Sequence, residues 1–432
     1  MAPSEVFRRA LVATANAGLA ELETGGADGS AGDMPTRDIA SRNMPAPGGT
    51  AFDAELETRA RAAVSRGAVT ATAGWVPTDD LAHLQARLAP LGAAAVPLPS
   101  PPGADPPTLL DGGRVSRSFR PLVELYTTVP YRDVDPSAAA GVVYVLMFGM
   151  MFGDVGHGAV LLAAGLALRA GRPHWVTRWR RLWPFVTGAG AAACAFGFAY
   201  GEAFGPTGLP AAWLAPLDRP TTLLAAAVGI GAVLLGLAYA VGSVNRWREG
   251  GPGRAAVAAS GGAGSALYAG LAMAGGGWYL HQPALGAAGA VLAVGGLTLI
   301  GAGLLAGAGR GATRIMEVSV ELFDTVVRLG SNAISFARLA AFGLTHAALG
   351  GIVWSATTGL WHHGPAVRPL AAAVFVAGNA VAFALEALVA GVQALRLEYY
   401  ELFSRVFAGQ GRPFRPWRHP TVPPEEAPCP GS

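Results

Sequence analysis

Two arginines lie deep inside stretches of the chain that are otherwise apolar. Arg338 belongs to the stretch ISFARLAAFGLTHAAL and Arg396 to the stretch ALVAGVQALRLEYYE. A permanent charge at bilayer depth costs from about 3 to more than about 10 kcal/mol, so charged residues there usually mark a pathway for ions or protons. A guanidinium group keeps its proton in proteins and therefore does not relay protons. These two positions predict an electrostatic barrier against ion leakage.

Polar residues recur every seven positions along both stretches. A step of seven residues drifts by only about 20° around a helix, so residues at this spacing share one face. The first series, which Ser335 and His346 flank, consists of Asp324, Ser331, Arg338 and Thr345. The second series, with Arg396 one turn beyond its third member, consists of Asn379, Glu386, Gln393 and Tyr400. Each stretch therefore carries a polar face.

Each arginine has a carboxylate at a distance along its own helix. At about 1.5 Å per residue, Asp324 lies about 21 Å from Arg338. Glu386 lies about 15 Å from Arg396. Because the two helices run antiparallel, the carboxylates are displaced toward opposite membrane surfaces, which predicts two offset half-pathways for protons. The competing interpretation is that these charges are intramembrane ion pairs that hold a bundle together.

Three further residues each allow two interpretations. His346 is either a hydrogen-bonded core histidine or a proton relay. Asp154 and His157 lie three residues apart in the glycine-rich turn FGMMFGDVGHG. They either cap a helix and fix the turn, which is the favoured interpretation, or take part in a relay.

The composition places these residues in a polytopic helical membrane protein. Of the 432 residues, 52% are hydrophobic and 14% are charged, and the mean hydropathy is +0.39, as in chains that cross a bilayer repeatedly. Every basic side chain is arginine, so the lysine of a phosphate-binding P-loop is absent. This bias indicates a GC-rich bacterial genome rather than a nucleic-acid binder. Two distant cysteines indicate no zinc site, and we expect no metal and no cofactor.

The arginine distribution predicts about eight membrane crossings. The apolar segments are 138–168, 182–204, 221–244, 255–280, 284–308, 315–358 and 366–408. Arginines flank the first segment on both sides, and because both flanks are then cytoplasmic, that segment must break near Asp154 into two short helices. The later loops alternate and both termini are cytoplasmic. The last two segments exceed the roughly 20 residues that a crossing needs, so these helices are tilted.

The predicted fold class is an all-α polytopic membrane protein with a short α/β N-terminal cytosolic region. Residues 1–115 are of mixed polarity with Gly- and Pro-rich breaks, and they predict helices and a short strand. Residues 116–137 are a linker, residues 138–408 the transmembrane domain, and residues 409–432 a cytoplasmic tail.

Three long motifs resemble the membrane stator subunit of V-type and A-type rotary ATPases, called subunit a or subunit I. They are PLVELYTTVPYRDVDPSAAAGVVYVLMFGMMFGDVGHG, SNAISFARLAAFGLTHAAL and ALEALVAGVQALRLEYYELFSRVFAGQGRPFRP. The sequence GWVP at 74–77 resembles the proximal lobe of that family's cytosolic domain. The resemblance implies eight transmembrane helices, the last two of which face a rotor ring of proteolipid subunits.

The resemblance also implies roles for individual residues. The residues implied to form the proton gate facing the ring are Arg338, Arg396 and Gln393. Those implied for the external half-channel are Glu386, His346 and Asn379, and those for the cytoplasmic half-channel are Asp324, Ser331, Asn332 and Ser335. The implied partners are the ring, the peripheral stalk, other ATPase subunits that hold the ATP sites, and the lipid of a bacterial inner membrane.

Three departures from the family pattern stand out. Phe336 replaces a frequent Tyr, and Asp324 replaces a frequent Glu. About 115 residues precede the membrane part where the family usually has about 300, so we expect a missing or reduced distal lobe and an altered attachment to the stalks. Two other classes stay open. One is a stand-alone secondary transporter with a midplane polar site, although no repeat relates the two halves; the other is a purely structural or assembly subunit.

Overall fold

The described part of the chain falls into two units. The computed structural model describes residues 2–3, 6–23, 51–101, 104–110, 113–171, 179–180, 182–307, 313–407, 409 and 411–418. The Gly- and Pro-rich breaks between 24 and 50, and residues 419–432 of the predicted tail, lie outside these ranges. The first unit is Met1–Leu109 with Gly411–Ser432, and the second is Leu110–Gln410.

Within the described residues, the first unit contains short strands and three α-helices. The helices are α1 (Phe7–Ala17), α2 (Ala51–Arg61) and α3 (Leu81–Leu88). The strands are β1 (Ala2–Pro3), β2 (Glu21–Leu22), β3 (Val64–Arg66), β4 (Val69–Ala71) and β5 (Gly74–Trp75). One antiparallel sheet has the order β1-β4-β3, and β2 pairs antiparallel with β5 in another. The helices share an apolar core that includes Leu11, Leu56 and Leu84.

The C-terminal segment 411–418 belongs to this first unit. The Phe414 N–H donates to the Thr108 carbonyl at 3.0 Å. Trp417 is buried, its ring stacks on Phe52 with 5.4 Å between centroids, and the Arg59 guanidinium lies 4.9 Å from the Trp417 ring. The segment 411–418 therefore completes the core of the first unit.

The described part of the second unit is helical. Its helices are α4 (Arg114–Tyr126), α5 (Ser137–Met151), α6 (Val155–Ala170), α7 (Trp183–Tyr200), α8 (Pro220–Val257), α9 (Gly262–Tyr279), α10 (Pro283–Gly307), α11 (Thr313–Ser335), α12 (Ala337–Trp361), α13 (Arg368–Leu397) and α14 (Ser404–Val406). Among the described residues, five stretches are long and apolar enough to cross a membrane: Pro220–Gly253, Ala255–Tyr279, Pro283–Ala306, Arg314–Trp361 and Arg368–Val406. The helices α5 and α6 are apolar but shorter.

The predicted break near Asp154 is confirmed. Helix α5 ends at Met151 and α6 begins at Val155. The Asp154 carboxylate accepts a hydrogen bond from the His157 N–H at 2.8 Å, so Asp154 caps α6. The favoured capping interpretation of Asp154 is therefore confirmed.

Glycine lets α6 and α7 approach until their backbones touch. A Cβ on Gly158 would lie 2.6 Å from the Cys194 backbone nitrogen. A Cβ on Gly190 would lie 2.4 Å from the Leu162 nitrogen. Small residues at helix contacts are a common packing device inside membranes, and here they fix α6 against α7.

One residue interrupts the helix predicted across 315–358. The Leu339 N–H donates to the Phe336 carbonyl at 3.0 Å, a tighter turn than that of an α-helix. Phe336 is fully buried, and its ring occupies the space where a Cβ on Gly231 of α8 would lie, 2.1 Å away. The break divides the first polar series between α11 and α12 and places Arg338 in the first turn of α12.

Helix α13 passes into a π-helical stretch, Glu398–Phe403, before α14. At the same end of the bundle, Asn245 of α8 accepts from the Val134 N–H at 3.1 Å and donates to the Val406 carbonyl at 3.2 Å. The loop before α5, the end part of α8 and the end of α14 therefore lie together.

A buried carboxylate lies in the loop before α5. Asp133 is 8% exposed, and its Oδ2 lies 3.9 Å from Arg246 Nη2. Arg246 pairs more closely with Glu249, at 2.7 Å. Burial, followed by the nearby Glu249 carboxylate, raises the pKa of Asp133 from 3.8 to about 7.

Candidate functional site

His346 of α12 and Glu386 of α13 form a hydrogen-bonded pair between His346 Nδ1 and Glu386 Oε2. His346 is buried, and Glu386 Oε1 is buried without a hydrogen-bond partner among the described residues. The two residues come from helices joined by the short connection 362–367. The structure therefore brings together two predicted residues that lie 40 positions apart.

Asp154 and His157, at the start of α6, lie beside this pair. The ring centroids of His157 and His346 are 5.6 Å apart. One ligand-type atom from each of Asp154, His157 and His346 lies within 4.8 Å of the other two. The Gly205 N–H donates to Asp154 Oδ2 at 3.3 Å. Each oxygen of the Asp154 carboxylate therefore accepts a hydrogen bond from a backbone N–H group.

Asn379 and several aromatic rings complete this part of the site. The Asn379 amide donates to the Phe375 carbonyl at 2.9 Å, while its Oδ1 is buried without a hydrogen bond in the described residues. The Phe152 ring lies 5.1 Å from His346 and the Phe204 ring 5.2 Å from His157. We call Asp154, His157, His346, Asn379 and Glu386 the histidine group. Its apolar surroundings strengthen every charge interaction within it.

The sequence fits this geometry because glycines make room for the rings. A Cβ on Gly153 would lie 2.6 Å from the Tyr200 ring. A Cβ on Gly156 would lie 2.3 Å from the Phe204 ring. Larger residues in the turn would push Asp154 and His157 away from α12 and α13.

The two arginines lie apart from the histidine group. Arg338 is half-buried and Arg396 is exposed, and Arg338 Nη1 is buried without a hydrogen-bond partner in the described ranges. The two positive charges interact with each other and with Glu401. Gln393, one turn before Arg396, is half-buried and its Oε1 also lacks a partner there.

Glu401 is a residue that the seven-residue spacing missed. It is 5% exposed in the π-helical stretch, where it interacts with Ser335 and with both arginines. Its position, one residue beyond the second polar series, put it outside the predicted face. The signal that sequence reasoning passed over is a carboxylate five residues after Arg396 in a largely apolar stretch.

The polar residues of α11 lie on a different part of the surface. Asp324 is half-buried and pairs with Arg328 at 2.5 Å, and the Ser335 hydroxyl donates to the Ser331 carbonyl at 3.0 Å. In the amide orientation that its neighbours favour, Asn332 accepts from Arg405 at 2.9 Å. An open groove of about 680 Å³ runs past Ser331 and Ser335 to Arg338. Asp324 therefore stays separate from the histidine group, on the other side of the arginines along the helices.

Comparison with known proteins finds similarity to the membrane subunits of rotary ATPases. Residues 60–177 match the V-type ATPase 116kDa subunit family. The A-type ATP synthase subunit I of Thermococcus kodakarensis is 26% identical, and the alignment covers 81% of this chain and 54% of that one. Most of this chain is therefore similar to subunit I. A V-type ATP synthase subunit I 2 from Treponema pallidum is 35% identical over 36% of each chain. The vacuolar proton translocating ATPase 100 kDa subunit of Dictyostelium discoideum is 34% identical over 22% of this chain and 12% of that one.

The chain spans about half the length, or less, of the subunit I and subunit a relatives that it matches. The family match includes GWVP, Asp154 and His157 and ends well before Arg338. With five helical stretches of membrane-spanning length and apolarity among its described residues, the chain is a multi-pass membrane protein.

Proposed function

We propose that this chain is the membrane stator subunit of a bacterial V/A-type ATPase, carrying protons past a rotor ring. The observation that supports it most is the position of Arg338 and Arg396. They are partly or fully exposed on α12 and α13, between the buried histidine group and the polar groove of α11. A pair of arginines that separates two offset half-channels would have these positions. Such a gate lets protons pass by way of the ring and needs no covalent chemistry.

We further propose eight crossings with both termini on the cytoplasmic side. The five long stretches supply five crossings, and α5, α6 and α7 supply three more. The Val155 N–H donates to the Glu202 carbonyl at 2.9 Å, so the α5–α6 break and the end of α7 lie at one level. That level also contains His346 and Glu386, which supports placing the histidine group on the external side.

In the external half-channel, Glu386 and His346 exchange a proton with the ring and Asn379 orients them. Asp154 and His157 hold the wall of this half-channel in place. In the cytoplasmic half-channel, Ser331 and Ser335 line the groove that leads to the gate, and Asp324 and Asn332 lie on the same helix, α11. At the gate, Arg338, Arg396 and Gln393 meet the ring carboxylate, and the arginine charges favour its ionised form.

The proposed partners are the proteolipid ring, the peripheral stalk and the ATPase subunits that hold the ATP sites. An exposed apolar surface surrounds the gate: Leu388 is 66% exposed, Val392 is 54% exposed and Ile334 is 71% exposed. Lipid or a partner covers such a surface, but the adjoining arginines favour a protein partner that brings a carboxylate.

Cysteine crosslinking tests the proposed face. With Cys194 and Cys429 replaced by alanine, Leu388→Cys or Val392→Cys is combined with a cysteine on the outer helix of the proteolipid. The matched control is Val291→Cys on α10, which is 74% exposed. We expect oxidation to join α13, but not α10, to the ring in the assembled complex. Crosslinking from α10 alone, or from neither helix, would contradict the proposed stator face.

A further inference from the structure

The histidine group contains the ligands of a transition-metal site. Asp154, His157 and His346 each offer one ligand atom, and these atoms lie within 4.8 Å of one another. All three residues are buried. A contraction of up to about 1.5 Å would bring these atoms to the roughly 3.3 Å spacing of ligands around a tetrahedral metal with bonds of about 2 Å.

His157 supplies an independent reason to expect a ligand. It is 3% exposed, and neither of its ring nitrogens has a hydrogen-bond partner among the described residues. A buried polar group without a partner costs about 1–3 kcal/mol, so it usually serves a purpose. The Phe152, Phe204 and Phe383 rings around it offer no acceptor, and Asp154 Oδ1 lies 3.8 Å from its Nδ1, which is too far for a hydrogen bond.

The other two ligands are already oriented. Asp154 is held by the N–H groups of His157 and Gly205. His346 uses Nδ1 to contact the Glu386 carboxylate, which leaves Nε2 for a metal. A carboxylate that hydrogen-bonds the far nitrogen of a metal-binding histidine is a common outer-shell arrangement and strengthens the ligand.

We propose that Asp154, His157 and His346 bind a divalent first-row transition metal ion such as Zn²⁺. Two imidazoles and one carboxylate suit Zn²⁺ or Co²⁺, whereas Mg²⁺ and Ca²⁺ prefer a shell of oxygen atoms. Insofar as the proposed function holds, the bound ion ties His346 to the wall of the external half-channel and blocks proton passage from that side. The sequence does not reveal the site, because the third ligand lies 189 positions after His157.

Binding is tested on the purified full chain in detergent after removal of any affinity tag. Co²⁺ is titrated while its visible absorption is recorded, and Zn²⁺ is then added as a competitor. We expect one tetrahedral Co²⁺ per chain, displaced by Zn²⁺. His157→Ala and Asp154→Asn should weaken Co²⁺ binding at least about tenfold. Asparagine keeps the helix cap, so this second variant tests the ligand with the fold preserved.

The matched control is His363→Ala, at an exposed histidine just after α12, which should leave the Co²⁺ spectrum unchanged. A wild-type affinity in both His157→Ala and Asp154→Asn would overturn the site. In the reconstituted complex, external Zn²⁺ should inhibit pumping, with a half-inhibitory concentration at least about tenfold higher in Asp154→Asn. Co²⁺ binding without Zn²⁺ inhibition of pumping would support the metal site but contradict its place on the proton path. The Co²⁺ titration does not depend on the arginine gate, so failure of the proposed function would leave the binding result unchanged.

Discussion

At the scale of single residues, the His346–Glu386 pair is the part of the site with the clearest chemistry. An acid and a base in hydrogen-bond contact, enclosed by aromatic rings, can pass a proton between them. The pair joins α12 to α13, with His346 eight residues after Arg338 and Glu386 ten residues before Arg396. The proposed external half-channel therefore depends on both members.

Glu386→Gln should slow proton pumping by the reconstituted complex about 100-fold, since the removal of one proton-transfer group typically has an effect of this size. The amide keeps the shape and a hydrogen bond to His346 but does not take up a proton. Glu57→Gln, an exposed glutamate of the first unit, is the control and should pump normally. Equal pumping by both variants would remove Glu386 from the path.

Asp133 should make stability depend on pH. Its pKa in the folded protein is raised from 3.8 to about 7, so between these values the folded state holds a proton that the unfolded chain has released. Stability therefore falls as the pH rises through this window. We expect the fall between pH 5 and 8 to be about 1 to 3 kcal/mol, since each pH unit inside the window contributes up to about 1.4 kcal/mol. Thermal unfolding of Asp133→Asn should show a flatter profile; an equally steep one would exclude Asp133 as the cause.

Much of the site follows from residue types and spacing, but not all of it. A charge in an apolar helix is visible in the sequence, so Arg338, Arg396 and Glu386 are found directly. Asp154 was expected to cap α6, and the hydrogen bond to His157 N–H confirms this. Glu401 interacts with both arginines from within the π-helical stretch, and no local pattern in the sequence predicts that stretch.

At the scale of helices, backbone contact at glycines holds the α6–α7 pair against the histidine group. Gly190→Ala should destabilise the chain by about 1–3 kcal/mol, because the added methyl group would lie 2.4 Å from the Leu162 nitrogen. Gly229→Ala in α8 meets nothing within 4 Å and should be neutral or stabilising by up to about 1 kcal/mol. Thermal unfolding in detergent compares the two, and equal melting temperatures would show that this contact is not tight.

The interruption at Phe336 shows where helix prediction fails. The stretch from Ser335 to Ala337 contains neither glycine nor proline, so local propensity predicts a continuous helix. The break instead comes from a tertiary contact, since Phe336 is fully buried against Gly231 of α8. The break near Asp154 was predictable for two reasons. The stretch contains four glycines, and the arginines on both flanks require two crossings between them.

At the scale of the whole molecule, the sequence indicates a chain with an extramembrane and a membrane part, but not that residues 411–418 return to the first unit. Prediction treated them as a tail because their contacts with Phe52 and Thr108 span more than 300 positions. Such long-range pairing leaves no periodic signal.

Trp417→Ala should loosen the first unit, because removal of a buried tryptophan side chain typically costs about 3–5 kcal/mol. Hydrogen exchange should accelerate in α2, where Phe52 and Arg59 contact the Trp417 ring. Trp247→Ala, at a 62% exposed position of α8, is the control. Unchanged exchange in α2 would contradict the proposed structural role of the C-terminal segment.

The central claim is that Arg338 and Arg396 form the gate of a proton path, and coupled pumping by the reconstituted complex tests it most directly. Arg338→Ala and Arg396→Ala should each abolish ATP-driven proton pumping while the complex still assembles. Arg368→Ala, at the other end of α13 and 5.3 Å from the Trp361 ring, should pump as the wild type does. Wild-type coupled pumping by either gate variant would contradict the account.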